Sequence, residues 1–100
     1  MIKIKVIKND NQINSIEIKG HAGYGKYGRD IVCAAVSSIV TTTINGLLRL
    51  DDKCLTYKDD NDLFVVILKH DHTIDVLLEN MIELLKELER NYKKYIKIEN

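Results

Sequence analysis

Proline and tryptophan are absent from this 100-residue chain, and cysteine occurs only twice. Two cysteines are too few for a disulfide framework. That excludes the stapled secreted scaffolds and predicts two reduced thiols in the cytoplasm. An excess of charge is missing too: fifteen Lys and Arg balance fifteen Asp and Glu, so the formal net charge is zero. The balance argues against a protein whose main task is to coat nucleic acid or an anionic membrane. No apolar run has the length of a bilayer span. Lys3, Lys5 and Lys8 break up the N-terminus where a signal peptide would place its apolar stretch. Linkers, repeats and low-complexity tracts are lacking. The missing proline and tryptophan, beside many Ile, Lys and Asn, read as genome composition and not as function.

What is present fits one soluble domain over residues 1–100, large enough for a single core but not for two. Ile2, Ile4 and Val6 alternate with Lys3 and Lys5, the pattern of a half-buried strand. Asp10-Asn11 makes a turn, and Ile16 and Ile18 alternate with polar neighbours in a second strand. Residues 31 to about 50 are apolar on most sides. Their β-branched stretch resembles a strand, but the length and the Ala34-Ala35 pair favour a buried central helix, loosened near Asn45-Gly46. Residues 55–57 and 63–68 read as two strands joined by a polar turn at 58–62. Apolar residues from Ile74 to Tyr92 then recur at helical spacing behind a cap at Thr73. Tyr95, Ile96 and Ile98 add a short final strand. The expected fold is α+β: a small, mostly antiparallel sheet with two helices packed on it, in the order ββαββα(β).

The chemistry concentrates in residues 20–38, GHAGYGKYGRDIVCAAVSS. Asp30 is a good N-cap, which places Cys33 in the first helical turn. There the positive end of the helix dipole and the unpaired N–H groups favour thiolate over thiol. His21 is the candidate base. The twelve residues between could span about 40 Å when extended, and Gly20, Gly23, Gly25 and Gly28 ease a reversal that brings imidazole to sulfur. First-turn amides are expected to hold an oxyanion. Ser37, one turn beyond Cys33, is expected to orient His21 or bind a substrate carbonyl, and Asp30 to support the same site. Gly23, Tyr24, Gly25, Tyr27 and Gly28 form a loop expected to move, with the tyrosines packing on a substrate that orders it.

Plainer readings compete. A cysteine near a helix start is often just a small hydrophobe, and Cys54, in a strand, reads as structural. Residues 23–28 match GxGxxG, but His21 and Ala22 separate the motif from its strand, and Gly28 precedes the helix cap, so a dinucleotide site does not fit. Phosphate or nucleotide binding at the helix start stays open as a second function. A non-catalytic ribosome-assembly or RNA-binding module is a third. His70-Asp71-His72 lacks paired metal ligands and reads as a helix entrance. The acidic run 59–62 lacks the glycine and distal glutamate of a calcium loop and reads as a hairpin turn.

Gly20-His21-Ala22, Gly28 and the run from Asp30 to Ser37 resemble the signature of the ribosomal-processing cysteine protease (Prp, YsxB-like) family. The resemblance implies a cysteine endopeptidase with His21 and Cys33 as its dyad. It implies a peptide substrate, the N-terminal extension of a large-subunit ribosomal protein. It also implies a homodimer without cofactor or metal, and no membrane or direct nucleic-acid partner.

Overall fold

The alternating Ile2, Ile4 and Val6 build β1 (Ile2–Asn9), burying the apolar side chains and leaving the lysines in solvent. Asp10 and Asn11 both take left-handed angles, φ 54° and 64°. That is the backbone of a two-residue hairpin turn, and β2 (Gln12–Lys19) returns antiparallel. A computed structural model describes residues 1–26 and 28–100; Tyr27 lies outside the described residues. Among these residues follow α1 (Ile31–Leu50), β3 (Leu55–Asp60), β4 (Asp62–Ile67), α2 (His72–Asn91) and β5 (Ile96–Glu99). The strands form one sheet in the order β3-β4-β2-β1-β5. Among the described residues only the β1–β5 pairing is parallel.

Both helices lie on one face of the sheet. Val32, Val36, Val40, Ile44 and Leu47 form the buried stripe of α1, and Ile74, Leu78, Met81, Ile82 and Leu85 that of α2. They meet Ile4, Ile16, Val65 and Ile67 from the strands in one core. Each fully buried aliphatic side chain contributes roughly 1.5–3 kcal/mol, so this shared stripe, not local propensity, holds the two layers together.

The structure departs from the expectations in four places. Asp71, not Thr73, caps α2, its carboxylate accepting from the Ile74 N–H at 2.8 Å. Asp71 has the extended backbone a cap requires, and Thr73 already lies inside the helix. Asn45-Gly46 does not loosen α1, because buried Ile44 and Leu47 on either side hold the helix to the core. The polar stretch 58–62 is mostly strand: β3 and β4 pair as far as Asp60 and Asp62, leaving Asn61 (φ 64°) to turn the chain. Backbone pairing at a sheet edge asks for no apolar side chain. Finally, α1 does have the length and composition of a bilayer span, with mean hydropathy 1.8. Small Ala, Ser and Thr residues fill the gaps between its large apolar ones, and Arg49 is its single charge. In this fold its apolar stripe packs on the sheet and on α2.

Candidate active site

The start of α1 is organised by one carboxylate. Asp30 Oδ1 accepts the N–H groups of Val32 and Cys33 at 3.0 and 3.1 Å. Its other oxygen accepts those of Tyr24 and Gly25 at 2.9 and 3.2 Å. Desolvation acts to raise its pKa, but the hydrogen bonds from Cys33, Gly25, Tyr24 and Val32 together outweigh it and hold the carboxyl below its ordinary value. Asp30 is therefore the N-cap that the sequence predicts, and also the anchor of the glycine loop. Both oxygens are engaged, and neither is bonded to His21.

Cys33 sits in the first turn, half-buried against the core. Its Sγ receives the Ala22 N–H at 3.3 Å. Ala22 is itself buried, so the residue after His21 is locked onto the sulfur. The turn that delivers it passes through Gly20, whose φ is +83°. A Cβ at Gly20 would lie 2.5 Å from the Met1 carbonyl oxygen, so only glycine fits. His21 is exposed. Among the described residues no hydrogen bond joins its ring to Cys33 or to Ser37.

Two cavities meet at these residues. One, about 210 Å³, has Ile18, Val36, Val40 and Leu63 in its wall and Asp59 and Asn61 from the β3–β4 hairpin beside them. The other, about 530 Å³, lies under the loop against Gly23, Gly25, Gly28 and Asp30. His21, Cys33 and Ser37 line both. The arrangement is a groove that crosses the thiol, with space on either side for an extended chain.

A sequence profile described as cysteine protease Prp matches residues 1–97. The chain belongs to the Prp family of cysteine proteases. The ribosomal processing cysteine protease Prp of Bacillus subtilis is 29% identical over 100 residues, spanning 90% of this chain and 88% of its own. The Staphylococcus aureus protein of the same name is 26% identical over 103 residues, spanning 98% and 97%. A crystal structure of the S. aureus protease with a covalently linked product peptide matches the fold with a TM-score of 0.93. It does so at 24% identity, over 99% of this chain and 98% of that one.

A Prp-family chain with two cysteines has two thiols to consider. Cys54 is fully buried, with its Sγ 3.6 Å from the Leu47 carbonyl, and desolvation, aided by the charge of Asp51, pushes its thiol up. Cys33 is the thiol that meets a cavity. The expected oxyanion donors are corrected: the Val32 and Cys33 amides are taken by Asp30, and that of Ala34 by the Asp30 carbonyl at 3.0 Å. The same capping carboxylate opposes a phosphate at this helix start, against the nucleotide reading. Tyr24 is not waiting for a ligand; its ring packs edge-on against Tyr92 and Tyr95, at 5.6 and 5.1 Å between centroids. Gly23 and Gly28 adopt φ +71° and +81°, whereas Tyr27 lies outside the described residues. His70 Nδ1 pairs with Asp75 at 2.7 Å while Asp71 caps α2, so that cluster is a helix entrance as expected. Among the described residues no group of three or more side chains is set to bind a metal. Three things escaped the sequence reading: the Ala22 amide, the tyrosine cluster and the hairpin in the groove wall. Their only signal was strand register, which no local pattern displays.

Proposed function

We propose that this chain is a cytoplasmic, cofactor-free cysteine endopeptidase, acting as a homodimer, that removes the N-terminal extension of a large-subunit ribosomal protein. Cys33 is its nucleophile and His21 its proton partner. The observation that carries the reading is the groove crossing Cys33, with His21 in the same walls and the Ala22 N–H on the sulfur. Relatives named as ribosomal processing proteases support the substrate class. The S. aureus protease bound to a product peptide supports a peptide in the groove.

In this mechanism the Ala22 N–H holds the Cys33 sulfur in position at the groove. The peptide enters across the thiol and draws His21 onto it; catalytic hydrogen bonds often tighten only when substrate is bound. Cys33 passes its proton to His21 as its sulfur attacks the scissile carbonyl carbon, and His21 delivers that proton to the departing amine. Water, deprotonated by His21, then releases the acyl group from sulfur. Because Asp30 occupies the first-turn amides, the oxyanion is assigned to the Ala22 N–H, released from the sulfur as charge moves to the carbonyl oxygen. Ser37 binds the peptide along the groove. Loop residues Gly23, Tyr24, Gly25 and Gly28, anchored by Asp30 and the tyrosine cluster, flank the peptide.

The test is hydrolysis of a peptide from the ribosomal protein's extension, followed by mass spectrometry. Cys33→Ala and His21→Ala, checked for folding by circular dichroism, are each expected to lose activity by at least about a thousandfold. Undiminished cleavage by Cys33→Ala would remove the basis of the proposal.

A further inference from the structure

The smaller cavity has a wall that the dyad does not explain. On β3 side chains alternate, so Leu55, Tyr57 and Asp59 share a side of the sheet, and Asp59 pairs in register with Leu63. Leu63 in turn pairs with Ile18, which pairs with Ile4 of the core. Asp59 therefore lies on the helix-bearing side, in the same cavity as Cys33. The neighbouring acids are elsewhere: Asp60 and Asp62 pair with each other one position on, on the opposite side of the sheet. Asp59 is thus the one carboxylate among the described residues that line the smaller cavity. Ile18, Val36, Val40 and Leu63 give the cavity an apolar side, with Ser37, Thr41 and Asn61 also in its lining. Among the described residues no cation lies within ion-pairing distance of Asp59.

An apolar wall ending in an unneutralised acid suits one kind of side chain. Lysine and arginine lay a methylene stem along apolar surface and keep a charged head at its edge. A cavity of about 210 Å³ next to the thiol has room for one such side chain. We infer that Asp59 is a specificity residue, selecting a lysine or arginine at a substrate position close to the scissile bond. The inference rests on the protease reading above and deepens it. Asp59 is not placed on the imidazole: among the described residues no ion pair joins it to His21.

The experiment measures kcat/KM on fluorogenic peptides in which each of the three positions on either side of the scissile bond carries lysine, norleucine or glutamate in turn. The enzymes are the wild type, Asp59→Asn, Asp59→Lys and, as a charge control at the far end of α1, Asp52→Asn. At one position the wild type is expected to favour lysine over norleucine by about fivefold, the size of a partly exposed ion pair. The ratio falls towards one in Asp59→Asn and at high salt. It turns in favour of glutamate in Asp59→Lys and stays at the wild-type value in Asp52→Asn. Equal ratios in wild type and Asp59→Asn at every position overturn the inference. So does an Asp59→Asn variant that loses the same factor on lysine and norleucine peptides, which would make Asp59 a support of His21. A shifted ratio in Asp52→Asn overturns it too, as a net-charge effect. A wild type that cleaves none of the peptides defeats the protease reading itself, whereas cleavage without lysine preference defeats only the assignment of Asp59.

Discussion

Asp30 joins two parts of the site through one side chain, the first turn of α1 on one oxygen and the glycine loop on the other. Its pKa is held below the ordinary value. A depressed carboxylate stabilises the fold fully above the unfolded pKa of about 3.9 and loses that effect as pH falls through the lower folded value. Thermal melts of wild type and Asp30→Asn should therefore differ by a constant gap from neutrality to about pH 5 and converge below about pH 4. Cleavage at neutral pH should be weaker in Asp30→Asn, because the loop anchor goes with the charge. The thiols give a second residue-level check. Iodoacetamide on the native protein should alkylate Cys33 and spare Cys54, which has no exposed surface, until denaturant is added; peptide mass mapping reads the two sites separately. The cap and its cysteine were legible because both are local: a cap lies within three residues of the amides it serves. The second job of Asp30 was not, since the loop amides it binds are identified only by the path of the folded chain.

At the scale of elements, two glycines should respond to alanine with opposite signs. Gly46 lies inside α1 with nothing within 4 Å of an added Cβ. Gly46→Ala should stabilise by about 0.5–1 kcal/mol through helix propensity. Gly20 combines φ +83° with a backbone oxygen where the Cβ would go. The backbone angle by itself puts the loss at about 1–3 kcal/mol, and the collision adds to it. Urea denaturation gives both values, and Gly20→Ala should also slow cleavage, since His21 is the next residue. The helices were the most readable elements, as their stripes repeat over 20 residues each. Strand ends were harder. Asp59 and Asp60 read as turn because they are polar, yet a ladder with β4 holds them extended.

At the scale of the molecule, the site depends on segments distant in sequence. Met1 packs its carbonyl on Gly20, and the Ile2 N–H donates to the Tyr95 carbonyl at 2.8 Å. Tyr24 then docks the loop on Tyr92 and Tyr95, at the end of α2 and just before β5. No local pattern could reveal this, because the parallel pairing of β5 with β1 brings the two ends of the chain together. Edge-on aromatic pairs contribute about 0.5–1.5 kcal/mol each beyond their buried area. If Tyr95 helps to hold the loop in place, Tyr95→Leu keeps much of the apolar packing and removes one pair. Amide exchange in residues 20–26 should then quicken about three- to tenfold, with α2 core amides such as that of Met81 unchanged. KM should rise as well, because binding a peptide would have to order a loop that the wild type already holds. Uniform acceleration across α2 would mean that Tyr95 serves the core alone. Unchanged exchange at 20–26 would mean that Asp30 holds the loop without the tyrosines, and the C-terminal segment would then have no part in the site.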